Sequence, residues 1–268
     1  LSFFNDSADG IAPKKIMIES YAKMLGFKVN SIDYEEAKII NNANSGYFCA
    51  LTENSKLIFD AAAIGPDYIP GHAHADTLSF EMSICDQRVF VNSGTSEYGL
   101  SSRRLNQRKT FSHNTVEVDG KDSSLVWSGF RVANRARVIA RHAEIKDNHC
   151  IELNASHNGY KSLFFGCNHK RKLILSKNSL IVCDSLEGTY KSARSIFYFH
   201  PDLKISFKNN LLIIKGTGFI LNCDLEGRAA RLIDSLWYPE FGVAIANKML
   251  EIDFEESHMN IEFRWSTN

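Results

Sequence analysis

From about Ser45 onward, apolar residues fall in short runs and in alternation with polar ones, not at helical spacing. "NTVEVD" and "NIEFRW" alternate strictly, as strands with one buried face do. "GYFCALTENSKLIFDAAAI" reads as two strands around Glu53-Asn54-Ser55, and "LSFEMSICDQRVFVNSG" as a hairpin with Asp86-Gln87 at its tip. Further strands are predicted in "RARVIARHAEI", "CIELNAS", "RKLILSKNSLIVCDSL", "SIFYFH", "LKISFKNNLLIIKGTGFILNCD", "GVAIANK" and "LEIDF". All are rich in Val, Ile, Phe and Tyr and are separated by Gly, Asn, Asp or Lys-Asn turns. So many strands without intervening helices exclude a βαβ architecture. They predict a mainly β fold, a large antiparallel multi-sheet β-sandwich. No fixed-period repeat points to a propeller or solenoid.

Ahead of the strands, "GIAPKKIMIESYAKMLGF" predicts a helix. Pro13 suits a first helical position, and Ile16, Ile18, Tyr21, Met24 and Leu25 form an apolar stripe before Gly26. "DYEEAKII" adds a turn or short helix. The predicted division is a helical segment over 1–44 and a sandwich over 45–268.

Composition narrows the partners. The 268 residues are 44% hydrophobic and 23% charged, suiting one large domain or a domain with a small appendage. Lys+Arg and Asp+Glu both number 31, so nothing draws the whole chain to nucleic acid or an anionic membrane, and an acidic ligand needs a local basic patch. No apolar run approaches the ~20 residues of a membrane helix. The chain opens on Leu, in "LSFFNDSADG", without a signal-peptide pattern, which predicts a piece of a longer protein. The six cysteines form no C-x-x-C pair and are read as buried free thiols in strands.

The candidate chemistry begins at "GHAHADTLSF". In an extended segment His72, His74 and Asp76 share one face, just before a strand. The alternative is surface or hydrogen-bonded histidines. His113 in "TFSHNTVEVDG" and Asn92 in "FVNSGTSEYG", followed by a tight turn at Gly94, also stand beside strands. A divalent ion needs three or four converging ligands, and histidine nitrogens at ~2.0–2.1 Å suit zinc. Arg103, Arg104 and Arg108 crowd "SSRRLNQRKTF"; they read either as planar forks for an acidic ligand or as a solvated basic loop. His157, His169 and His200 read as structural.

Taken together, "FNDSADGIAP", "GHAHADTLSFEMSI", "VFVNSGTSEYG", "RKTFSHNTVEVDG" and "WSGFRVANRARV" resemble the C-terminal half of the heparinase II/III-like polysaccharide lyases; "SHNGY" and "HKRKLIL" are weaker echoes. The resemblance spans roughly residues 3 to 175. It implies β-elimination on a uronic-acid-containing acidic polysaccharide such as a glycosaminoglycan, in a bacterial enzyme that is periplasmic or secreted. It implies a site between this sandwich and an N-terminal helical toroid, of which "FNDSADGIAP" resembles the tail. His72 maps to the sandwich's catalytic histidine. His74, Asn92 and His113 map to the ligands of one divalent metal, zinc first among them. Asp76 and Asn114 map to residues behind those ligands, Asp76 orienting a histidine. Arg104, Arg108 and Tyr98 are the substrate-binding candidates. Metal-binding members carry Asp where this chain has Asn92, and a neutral amide is a poorer zinc ligand. The tyrosine and asparagine that do most of the proton transfer and carboxylate neutralisation lie on the toroid, so the segment alone is expected to be inactive.

Two other readings stand beside this one. A non-catalytic glycan-binding or surface-polysaccharide biosynthesis module accommodates Asn92 and the absent toroid. A zinc-dependent hydrolase shares H-x-H-x-D, but Thr77 stands where its motif continues with a histidine.

Overall fold

The computed structural model describes residues 3–8, 10, 13–29, 37–146, 150–164 and 166–267. Two antiparallel sheets dominate it. The first runs, in order of pairing, through Lys38–Asn42, Tyr47–Leu51, Ser55–Asp60, Phe80–Ile84, Gln87–Phe90, Ala193–Phe199, Ile245–Asp253 and Ala230–Trp237, with Val116–Val118 also on Ala193–Phe199. The second runs through Lys204–Lys208, Leu211–Gly216, Phe219–Asp224, His258–Thr267, Ser179–Gly188, Cys167–Leu175, Cys150–His157 and Val138–Lys146. The predicted sandwich is therefore the architecture found.

Alternation explains the packing of the second sheet. Along Cys167–Leu175 every second residue is buried, and Ser179–Gly188 repeats the pattern. Their inward Leu173, Leu175, Leu180 and Val182 meet Phe80, Phe90, Phe197 and Phe199 of the first sheet. Phe90 sits 4.9 Å, ring centre to ring centre, from Phe263 of the second sheet, edge to face, a preferred aromatic geometry.

The first sheet is covered on its other face too. In Ala193–Phe199, Phe197 and Phe199 enter the inter-sheet core, whereas Ile196 and Tyr198 pack outside it with Phe3, Val91 and Trp237. That outer layer is made of loops, the short helix Ser102–Arg108 and the chain's first residues, and it carries the candidate site; the arginine-rich stretch read as a loop is thus largely helical. The sheet also starts before residue 45, because Lys38–Asn42 pairs with Tyr47–Leu51. The "DYEEAKII" turn falls partly outside the described residues, and its last residues lie in that strand.

Two local expectations shift. The helix spans Lys15–Met24 with Lys14 as its N-cap, so Pro13 precedes the helix instead of opening it. None of its residues is buried. The hairpin tip is Cys85-Asp86 with φ of 48° and 60°, one residue earlier than predicted, as a two-residue turn with both centres left-handed requires. Among the described residues all cysteines are free, and no helix is long and apolar enough to cross a membrane.

Candidate active site

The H-x-H-x-D segment is a loop, not a strand, and its three polar residues differ in exposure, His72 being open and His74 and Asp76 buried. The His72 side chain is 64% exposed and that of His74 1%. What joins the histidines is Asp6, 66 and 68 residues away in sequence. Hydrogen bonds to the backbone of the first residues bring it there. Phe3 N–H donates to Glu81 Oε1, Asn92 Nδ2 donates to Phe3 O, and Asp6 N–H donates to His72 O. These bonds stitch the first residues onto the outer face of the sheet and leave the Asp6 carboxylate beneath the histidine loop.

Asp6 is the hub. Its carboxylate accepts from His72 Nδ1 at 2.9 Å, from His74 Nε2 at 2.8 Å and from Thr95 Oγ1 at 3.3 Å. Arg104 grips it with both terminal nitrogens, Nη2 at 2.7 Å. Burial works to raise the Asp6 carboxyl, but the hydrogen bonds from His74 and Arg104 overcome it and hold the group well below the usual carboxylate range. Asp6 is thus a buried carboxylate anion.

His72 consequently donates through Nδ1, and its Nε2 has no hydrogen-bond partner among the described residues. The ring stands in an aromatic rim, 5.8 Å from Tyr98 and 6.1 Å from Phe130 between ring centres. The Tyr98 hydroxyl lies 3.4 Å from His72 Nδ1. Beside them Tyr68, Ile69 and Leu100 are 89%, 60% and 84% exposed around a depression of about 520 Å³. An oriented imidazole with an open nitrogen can hold or move a proton for a ligand in that depression.

His74 and His113 meet below, His74 Nδ1 lying 3.1 Å from His113 Nε2. His113 Nδ1 is 2.8 Å from Lys109 O, which can only accept, so Nδ1 carries the proton and Nε2 is an acceptor. His74 donates to Asp6 from Nε2, and its Nδ1 can donate to His113 only when the ring is doubly protonated. Burial is the largest influence on that doubly protonated form and works against it, while the Asp6 hydrogen bond and charge favour it; on balance His74 lies below the ordinary histidine range. Burial and the facing His74 push His113 well down, so His113 is neutral.

This donor set does not fit the divalent metal that the resemblance implies. The Asn92 amide is spent inside the fold, its Oδ1 accepting from Asn114 N–H at 3.0 Å and its Nδ2 donating to Phe3 O at 3.1 Å. Among the described residues no three His, Cys, Asp or Glu side chains converge as a metal set. Two imidazoles alone fall short of the three protein ligands that zinc sites use. Dialysis against a strong chelator is expected to leave the melting temperature unchanged. A fall of several degrees, restored by zinc, would contradict this, since a ligand bound only by the folded state adds to stability.

Four other sequence candidates are supports. Arg108 is fully buried and donates to the carbonyls of Ala73, Ser128 and Arg131, which excludes it from ligand binding. Burial and the Arg104 charge lower its pKa to about 10, so it stays cationic at neutral pH. Arg104, equally buried, holds Asp6 and Gly129 O. Asp76 orients no histidine; it accepts from Asn5 N–H at 3.3 Å and so braces the segment that delivers Asp6. Asn114 bonds Phe80 O and Tyr198 N–H and buttresses the His113 loop from the sheet. Tyr98, 43% exposed, stays on the open rim.

A second buried network lies behind. Arg171 makes a two-pronged ion pair with Asp184 at 2.7 and 2.8 Å and donates to Leu78 O at 2.9 Å and to Asn114 O. Leu78 has φ of 65°, an uncommon conformation for a branched residue, and Arg171 holds its carbonyl. His169 donates to Asp184, and His157 donates to His169 while accepting from Gly159 N–H. The structural reading of His157 and His169 agrees with these contacts.

Solved structures share this β-sandwich fold. Heparan sulfate lyase HepC from Pedobacter heparinus superposes over 100% of this chain and 44% of its own, with a TM-score of 0.75 at 15% identity. A solved heparinase III gene product superposes over 100% of this chain and 43% of its own, with a TM-score of 0.73 at 16% identity. This chain therefore spans less than half the length of these neighbours. None of the curated proteins compared with it matches. The Heparinase II/III-like, C-terminal family pattern matches residues 37–266, and the chain belongs to that family.

Proposed function

We propose that this chain forms the sandwich side of a lyase active site that cleaves a uronic-acid-containing acidic polysaccharide by β-elimination. The observation that carries the reading is His72: buried Asp6 holds its Nδ1 at 2.9 Å while Nε2 stands open at an aromatic rim. In the elimination a base removes the proton at C5 of the uronate. The C5–H electrons become the C4=C5 double bond, the C4–O bond breaks, and the departing oxygen takes a proton. His72 Nε2 moves one of those protons or stabilises the charge that develops on the carboxylate.

Beside His72 the described residues of the rim offer the hydroxyls of Tyr98 and Tyr68 as further proton carriers, too little for acid, base and carboxylate neutralisation together. The exposed Tyr68, Ile69 and Leu100 suit the surface on which a preceding domain closes and supplies the rest. The segment alone is expected to turn over negligibly, and the full-length protein to be competent. Absorbance of unsaturated uronate ends is the readout, on an acidic glycan and on the same polymer with its carboxyls reduced to alcohols. Only the acidic polymer should respond. Saturated ends from the acidic polymer would identify a hydrolase instead.

A further inference from the structure

We propose that a basic trough on the far side of the 61–71 loop from His72 is a second binding surface for acidic polysaccharide, an inference that rests on the substrate class assigned above. Two grooves make the trough. One, of about 1090 Å³, lies between the loop carrying Ala61–Asp67 and the segment Asn134–Arg141. The other, of about 600 Å³, lies over the outer face of the second sheet, and the grooves share Ala140 and Arg141. Arg135, Arg137 and Arg141 line the first; His142, Lys170 and Lys172 line the second.

Sheet register sets these residues in rows. His142 faces Asn154, which faces Lys172; one row over, Ser156 faces Lys170. Neighbours within a row are ~4.8 Å apart and the rows ~7 Å apart, from the strand spacing and the two-residue repeat. The "HKRK" run builds this by alternation, with His169 and Arg171 turned into the core and Lys170 and Lys172 turned out.

The positive charge is only partly answered. Asp67 pairs with Arg135 at 2.6 Å, Glu144 stands 3.8 Å from His142, and Glu152 stands 4.0 Å from Lys172 and 2.9 Å from Lys146. Asp184, at the trough floor, is 1% exposed and committed to Arg171 and His169. Arg137 and Lys170 are exposed and form no ion pair among the described residues. Arg141 spends its donors on the carbonyls of Ala61 and Ala43, so its charge has no acidic partner there. In a chain whose charges sum to zero, this is local concentration of one sign.

The chemistry of the walls selects the ligand. Guanidinium forks and ammonium groups suit sulfate and carboxylate, while Asn154, Ser156, Asn158 and Ser185 offer partners for sugar hydroxyls. Among the described residues no Phe, Tyr or Trp lines either groove, so they offer no stacking platform of the kind on which single-stranded nucleic acids depend. The loop that walls the first groove with Gly65 and Asp67 continues through Tyr68–Gly71 to the rim at His72. A long polyanion can therefore be held at a distance from the bond that is cut.

The test compares the native protein, the R137S/K170S/K172S variant and His72→Ala for binding to heparan sulfate and to hyaluronan by titration calorimetry over a salt series. The triple variant should bind about tenfold or more weakly with a shallower salt dependence, and His72→Ala should bind like the native protein. Native-like binding by the triple variant overturns the trough and leaves the His72 reading intact. Loss of binding in the triple variant, with activity retained in His72→Ala, supports the trough and removes the catalytic reading. Duplex DNA bound as tightly, and weakened by the same substitutions, would mark a general polyanion patch and overturn the assignment. So would a native protein that binds neither glycan.

Discussion

His72→Ala in the full-length enzyme is expected to lower kcat/KM by roughly 10²–10⁴-fold, the usual contribution of a positioned proton-transfer group. The fold should survive, because the side chain is 64% exposed, and Asp6, which loses the bond from His72, keeps those from His74, Thr95 and Arg104. The melting temperature is the control, and the rate of unsaturated uronate formation is the readout. A loss below about threefold at unchanged melting temperature would take His72 out of the proton chemistry.

The largest stability effect is expected from Asp184→Asn. The substitution leaves the fully buried Arg171 guanidinium without its counter-charge, and breaking a buried pair from one side costs about 3–5 kcal/mol. It should also loosen the histidine loops, because Arg171 is the donor to the carbonyls of Leu78 and Asn114. Burial works to raise the Asp184 carboxyl, but the Arg171 charge and the hydrogen bonds from Arg171 and His169 hold it far below the usual range. A carboxyl depressed in the folded state adds stability that is complete above its unfolded pKa of about 3.9. That stability drains away as the pH falls below this value towards the folded one. Urea unfolding between neutral pH and pH 3 should show the native protein losing its advantage over Asp184→Asn as acid is added. Equal stability of the two proteins at neutral pH would mean that the pair contributes specificity of packing without net stabilisation.

The sheets were legible because one physical cause, burial of a single face, writes a two-residue period into "HKRKLIL" and "NIEFRW" alike. The first sheet was harder to read. Ala193–Phe199 is buried on both faces by loops, so "SIFYFH" shows an apolar run in place of alternation. His74 and His113 were matched as a pair through family-like segments 39 residues apart, and they meet. Asp6 was missed. "FNDSADG" has no periodicity, resembles the tail of another domain, and reaches its partners only through contacts 66 to 98 residues away. Arg104 and Arg108 looked like ligand forks because arginines in a loop are ordinarily solvated. Their burial depends on carbonyls of Gly129, Ser128 and Arg131, which no side-chain pattern announces. Asp184 and Arg171 carried a fainter sign, a charged residue on the inward phase of each strand.

The direct measurement of the site is the tautomer of His72, read from imidazole nitrogen–proton correlation spectra of the native protein and of Asp6→Asn. With Asp6 gripping Nδ1, the neutral ring should carry its proton on Nδ1 and leave Nε2 bare, and Asp6→Asn should erase that preference. A proton found on Nε2 in the native protein would contradict the account.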